Sequence, residues 1–253
     1  MGRDRGRQVV ICRPRAACQP LARLVRAVGA DPIMAPLSRV DRPADGGAGL
    51  AAAVARAATY SWVVATSANG VHALVDKLGD SSAWCSQGVK IAAVGPATAR
   101  AFEAAGISVD LVPKQFNAAG LVLDFPLAPS CGGDNMVLAP LAELASDELE
   151  VGLTAKRWNV DRVDAYRMVP VAKDCIPSAD ELALADAVLF TAPSIVDEFL
   201  DRFGHASVPP LVVCIGPRTS KRASSYGLDP VTAHPHNDEG LIQALVGAWS
   251  LGL

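Results

Sequence analysis

Short apolar runs rich in β-branched residues alternate along the chain with stretches whose apolar positions recur every three or four residues. The first run, "QVVIC", predicts a buried strand. Leu21, Leu24, Val25 and Val28 then fall on one helical face, and Gly29 ends the helix. "DPIMAPL" predicts a second extended piece, and "SRVDRPADGGAG", polar with Pro and Gly, predicts a linker or exposed loop. The alternation resumes with strand "YSWVVATS", helix "ANGVHALVDKLG", strand "KIAAVG", helix "PATARAFEAAG" and strand "SVDLVP". A helix in "NAAGLVLDF", a strand in "NMVLAP", a helix within "ELASDELEVGLTAKRW" and a long extended "VDRVDAYRMVP" follow. The last third repeats the rhythm from "SADELALA" through "DAVLFTAPS", "IVDEFLDRFG", "LVVCIGP", "RTSKRASSYG" and "DPVTAHP" to "DEGLIQALVGAW". Strands alternating with helices of this length predict an α/β fold with parallel sheets.

The rhythm is duplicated. "WVVATSANGVHAL" matches "AVLFTAPSIVDEF", "VGPATARAFEAAG" matches "IGPRTSKRASSYG", and "FNAAGLVLDF" matches "HNDEGLIQAL". Gly95 and Gly216 lie 121 residues apart, as do Gly106 and Gly227, so the repeat is half a molecule rather than a short solenoid period. Two similar α/β domains are predicted.

The repeated turns have a common chemistry. A strand ending at Gly95 or Gly216, with Pro96 or Pro217 at the first helical position, predicts a helix start whose backbone N–H groups have no partner inside the helix. Thr98 and Thr219 add hydroxyls, and Thr66 or Ser67 and Thr191 are further capping candidates. Each turn by itself is an ordinary cap. Together, at the strand C-terminal edge of parallel sheets, they predict sites for carboxylates or phosphates. Arg218 opposes the helix dipole, which an anion would relieve.

Composition narrows the field. A net charge of −3 argues against a nucleic-acid partner, and no apolar run is long enough to span a membrane. "MGRDRGRQ" reads as a solvated basic tail without a signal-peptide core. Cys12, Cys18, Cys85, Cys131, Cys175 and Cys214 form no CxxC pairs, and the apolar settings of Cys12 and Cys214 suit a reducing, cytoplasmic compartment. GxGxxG after the first strand, the P-loop and the GxSxG elbow are absent. His234 and His236 lack a matching ligand set for a metal.

In order and duplication, "VVICRPRAACQPLARLVRAVGA", "WVVATSANGV", "AAVGPATARAFEAAG", "VDLVP", "VDRVDAYRMVP", "AVLFTAPSIVDEF", "CIGPRTSKRASSYG" and "EGLIQAL" resemble the uroporphyrinogen-III synthase family over nearly the whole chain. The resemblance implies two flavodoxin-like α/β domains joined by a two-stranded linker. One domain is discontinuous (1–37 plus 171–253) and the other inserted (38–170), with linker strands near 33–40 and 161–170. It implies cyclisation of hydroxymethylbilane, a linear tetrapyrrole, with loss of water and inversion of the last pyrrole ring, and no cofactor or metal. A monomer is expected, with hydroxymethylbilane synthase as the partner that hands over the substrate. A non-catalytic tetrapyrrole- or polyanion-binding regulator of the same fold is the alternative.

The residues alone leave Tyr166 as a strand aromatic; the resemblance makes it the catalytic candidate, since a phenol can donate to a departing hydroxyl. The expected substrate-binding residues are Arg13, Arg15, Thr66, Ser67, Asn69, Gly95, Thr98, Thr191, Ser194, Gly216, Arg218 and Thr219. Three positions depart from the family pattern. Leu141-Ala142 stand where an Arg-containing turn is common, Ala192 replaces a hydroxyl, and Asn237 stands where Thr is frequent.

Overall fold

The computed structural model describes residues 6–78, 88–130 and 135–252; Cys85, Cys131 and the first five residues of the basic tail lie outside them. The chain divides into unit 1, Met1–Arg39 with Val169–Leu253, and unit 2, Val40–Met168.

Unit 1 begins with β1 (Gln8–Ile11), α1 (Arg15–Ala27) and β2 (Asp31–Met34). Gly29, at φ +79°, ends α1 in a conformation that only glycine adopts cheaply. Cys18, Leu21, Ala22 and Val25 form the buried face of α1, while Val28 lies past its end and is exposed. Then β3 (Ser38–Asp41) leads into unit 2. The first linker strand, expected near 33–40, is thus two strands. Pro36, which has no N–H to give a ladder, stands in the gap between them.

Unit 2 continues with α2 (Ala48–Ala55), β4 (Tyr60–Ala65), α3 (Ala68–Leu78), β5 (Lys90–Ala93), α4 (Pro96–Ala104), α5 (Ala118–Asp124), β6 (Met136–Ala142), α6 (Glu148–Ala155) and β7 (Asn159–Pro170). Two expectations change here. "SRVDRPADGGAG" is not a loop throughout: it contains β3 and opens α2, with Gly46 and Gly47 at positive φ making the turn between them. "SVDLVP" is not a full strand: Leu111 forms a single bridge with Ala92, and Pro113 lacks the N–H to extend it.

The chain returns to unit 1 for α7 (Ala179–Ala183), β8 (Ala187–Phe190), α8 (Pro193–Phe203), β9 (Leu211–Cys214), α9 (Pro217–Ser225), β10 (Pro230–Thr232) and α10 (Asp238–Ser250). Its sheet runs β10-β9-β8-β1-β2, with all neighbours parallel. Counted within the unit this is 2-1-3-4-5, the flavodoxin order, with its switch point between β1 and β8. Arg7 lies over the Trp249 ring, 4.5 Å from its centroid, so the start of β1 meets the end of α10.

The sheet of unit 2 runs β3-β7-β6-β4-β5, and β4, β5, β6 and β7 pair in parallel. Matching the duplicated motifs sets β4 against β8, β5 against β9 and the Leu111 bridge against β10. β6 and β7 then fall on β1 and β2. Unit 1 is a cyclic permutation of unit 2. Both sheets bury both faces: Val9 and Ile11 pack with α1 and α10, while Val10 between them packs with α8.

One helix start is built identically in both units. Asn117 and Asn237 cap α5 and α10, accepting from the N–H of Gly120 at 2.7 Å and of Gly240 at 2.9 Å. A Cβ on Gly120 would lie 2.2 Å from the Gln115 carbonyl oxygen, and one on Gly240 only 1.8 Å from that of Pro235. Gly247, in the same helix as Gly240, has nothing within 4 Å of such a Cβ. Gly240→Ala should therefore destabilise by about 1–3 kcal/mol or more. Gly247→Ala should be stabilising by about 0.5–1 kcal/mol. Urea unfolding of the two variants checks this contrast.

Cys12, Cys18 and Cys214 are buried, and Cys175 is exposed. Burial pushes the Cys214 thiol up to about 11 and raises Cys12 and Cys18 as well. A raised thiol gives little thiolate, the reactive form. Peptide mapping after brief alkylation at about pH 8, near the ordinary thiol pKa, should find Cys175 modified and these three intact until the protein is unfolded.

Candidate active site and its family

The site in unit 2 starts from an irregularity in β7. The ladder with β6 pairs Leu141 with Asp164 but Ala142 with Tyr166, leaving Ala165 as an extra residue. Such a bulge breaks the alternation of a strand and re-aims the next side chain. Ala165 and Tyr166 are accordingly both buried in one core cluster, at 4% and 9% exposure. The Tyr166 hydroxyl sits 3.0 Å from Ser67 Oγ, although the two residues are 99 apart in sequence.

Ser67 is itself held. Its Oγ accepts from the Gly70 N–H at 3.1 Å, capping the start of α3. A Cβ on Gly70 would lie 2.7 Å from the Pro140 carbonyl oxygen, so α3 reaches β6 only because this residue has no side chain. Thr66 and Asn69 are half-buried beside Ser67. Gly95 caps α4 with Pro96 following it, and Thr98 is 5% exposed on the first turn. Phe116 packs over Gly95, 3.3 Å from the position of a Cβ.

Unit 1 repeats the arrangement with different side chains. Gly216 caps α9, Pro217 follows, and Thr219 is 2% exposed. Neither the Thr98 nor the Thr219 hydroxyl has a hydrogen-bond partner among the described residues. Arg218 is exposed where Ala97 stands in the other copy, and His236 replaces Phe116 against the glycine. His236 Nδ1 lies 2.9 Å from the Ala233 carbonyl, which only a protonated Nδ1 can satisfy, so Nε2 of the neutral ring is left as an acceptor. At the start of α8 the capping position is Ala192 without a side-chain bond, so Thr191 is not the cap expected of it; Ser194 is exposed on the first turn.

Sequence reasoning missed the partner of Arg13. Its guanidinium makes two bonds to Asp238, Nη1 to Oδ2 at 2.8 Å and Nη2 to Oδ1 at 2.6 Å. This ties the end of β1 to the first residue of α10, where the carboxylate also suits the helix dipole. Arg15, at the first position of α1, is exposed and has no such partner among the described residues. No group of three metal-ligating side chains occurs among the described residues.

A sequence model of the family described as uroporphyrinogen-III synthase HemD matches residues 19–243. The chain belongs to the uroporphyrinogen-III synthase family. Members of this family are lyase-type cyclases of porphyrin biosynthesis that act on a tetrapyrrole. The chain is 27% identical over 246 residues to the porphyrin biosynthesis protein HemD of Ruminiclostridium josui, covering 95% of this chain but 48% of that one. It spans 97% of a putative uroporphyrinogen-III synthase of Methanocaldococcus jannaschii at 25% identity, and 94% of the synthase of Synechococcus elongatus at 28%. Among solved structures, a uroporphyrinogen III synthase mutant of Thermus thermophilus aligns with a TM-score of 0.67 at 18% identity, over 96% of this chain and 99% of that chain. The Helicobacter pylori uroporphyrinogen-III synthetase gives 0.63, also at 18% identity, over 97% and 99%. The two structures establish the fold; the family and its curated members favour the synthase reading over the regulator.

Within this synthase frame the Arg13–Asp238 pair is testable alone. Its side chains are 16% and 25% exposed, and its geometry is bidentate. A double-mutant cycle with Arg13→Gln and Asp238→Asn should show a coupling of about 1 kcal/mol in unfolding free energy. Coupling near zero would mean that the pair does not hold α10.

Proposed function

We propose that the protein converts hydroxymethylbilane to uroporphyrinogen III. The terminal hydroxyl leaves as water, the resulting azafulvene is attacked so that the last ring inverts through a spiro intermediate, and the macrocycle closes. The observation that carries this reading is the Ser67–Tyr166 pair at the C-terminal edge of the unit 2 sheet. Ser67 Oγ accepts from Gly70, so its own proton is available to donate to the Tyr166 oxygen. The phenolic proton is then left for the departing hydroxyl, and Tyr166 acts as the general acid.

The substrate is a polycarboxylate, and the remaining candidates read as its anchors. In unit 1, Arg218 with the α9 N-terminus and Thr219, Arg15 on α1, and Thr191 with Ser194 on α8 take carboxylates. In unit 2, Thr66, Asn69, Thr98 and the Gly95 turn offer hydroxyl, amide and backbone donors. Arg13 fits a supporting role better than direct contact, because Asp238 already fills its fork. Holding the ends of a linear substrate in a reactive geometry supplies much of the acceleration. We place the enzyme in the cytoplasm as a monomer receiving its substrate from hydroxymethylbilane synthase; the unbridged thiols of Cys12, Cys18, Cys175 and Cys214, among the described residues, support a reducing compartment.

Two measurements test the proposal. Purified protein given fresh hydroxymethylbilane, without added metal or cofactor, should yield the type III isomer on chromatography after oxidation. Type I alone, the product of unassisted closure, would sink the reading, and saturable binding without turnover would point to the regulator. Tyr166→Phe should lower kcat by about 100-fold, the low end for a general acid. Its unfolding free energy should change by about 1 kcal/mol, the worth of one hydrogen bond. Unchanged kinetics would remove Tyr166 from the chemistry.

A further inference from the structure

Arg202, near the end of α8, is absent from the candidates above. Its guanidinium donates to two backbone carbonyls far apart in sequence: Nη1 to Leu37 at 2.8 Å and Nη2 to Val171. The Val171 N–H also donates to the Leu37 carbonyl, at 2.8 Å. The chain passes from unit 1 to unit 2 after Arg39 and returns after Met168. Leu37 and Val171 therefore flank the two crossings on the unit 1 side, and one side chain binds both.

Glu198, one turn earlier on α8, strengthens the grip. It lies four residues before Arg202, a favourable spacing for the pair, and the Arg202 charge acts against the upward push of burial on its carboxyl. Leu37 also packs in one core cluster with Val196 and Phe199 of the same helix. A cavity of about 500 Å³, lined by Pro170, Ser194, Asp197, Glu198, Asp201 and Arg202, lies along this face of α8. Farther back, Asp197 is bound by Arg222 at 2.5 Å, so α8 is itself fixed to α9. β7 runs unbroken from Tyr166 to Pro170, and Val171 follows it.

The geometry points to Arg202 as a positioning residue for the cyclisation, acting by fastening both crossings to α8 as one ribbon. It touches no reacting atom. It fixes the end of the strand that carries Tyr166, and it does so from the helix whose first turn carries Ser194. The inference rests on the synthase reading. It extends that reading from the reacting pair to what holds the pair steady during ring inversion, where misplacement is costly.

The test compares Arg202→Met, which keeps length but no donors, with Arg202→Lys, which keeps a charged donor. Steady-state formation of type III isomer is measured together with thermal unfolding and amide hydrogen exchange at residues 37–41 and 168–171. Arg202→Met should lower kcat about tenfold while KM changes less than about twofold, and Arg202→Lys should recover to within about threefold of wild type. The Val171 N–H should exchange faster in the Met variant. A folded Arg202→Met protein with wild-type kcat overturns the proposal, as does a loss confined to KM or a Lys variant as impaired as Met. If Arg202→Met does not fold, Arg202→Gln, which keeps an amide donor but not the two-pronged fork, decides: a lowered kcat with faster exchange at Val171 supports the anchor, and wild-type kcat with unchanged exchange overturns it. Wild-type protein without turnover would defeat the synthase reading instead, and the exchange measurement would still judge Arg202.

Discussion

The parallel pairing of β1 with β8 is the contact on which the rest depends. It joins Val9 to Ala187 and Ile11 to Leu189. Two bonds lock its register from outside the ladder: the Gln8 N–H donates to Asp186 Oδ2 at 2.6 Å, and the Asp186 N–H returns to the Gln8 carbonyl at 2.9 Å. Without this pairing unit 1 has two strands at one end of its sequence and three at the other, and no sheet. Closure entropy rises only as the logarithm of the intervening length, so a whole folded body between the partners costs little more than a long loop. The same pairing sets the switch point, where the chain turns outward after β1 and after β8. The segments that leave it there carry Arg13, Arg15, Thr191 and Ser194.

The duplication explains why both halves share caps and differ in charge. Backbone demands are common to the two copies: Asn117 and Asn237 cap their helices, Gly120 and Gly240 leave room that no side chain could, and Gly95 and Gly216 hold the same N-cap position. Side chains pointing away from those demands have diverged. Ala97 and Phe116 make the unit 2 turn apolar, whereas Arg218 and His236 give the unit 1 turn a cation and an imidazole.

The alternation of strands and helices, and the pairing of motifs, were readable because they are local and periodic. What lay hidden was of two kinds. Gly-rich composition concealed β3 and α2, since a turn at Gly46 and Gly47 reads like a loop although its neighbours are regular. The other kind was contacts across long separations. The bulge at Ala165 leaves no sequence signature, yet it decides where the Tyr166 hydroxyl goes. Arg13 was visible as a cation, but Asp238 lies 225 residues away and changes its meaning from ligand to brace. Arg202 carried no signal in the sequence, because backbone carbonyls, its partners, have no letter there.

The contact of Arg7 with Trp249 gives the cyclic relation between the units a further meaning. Bringing those ends together makes unit 1 topologically a ring, which the chain enters at a different point from unit 2. Read along the chain, the strands form a back half, a complete module and a front half: a tandem pair whose reading frame has slipped by half a repeat.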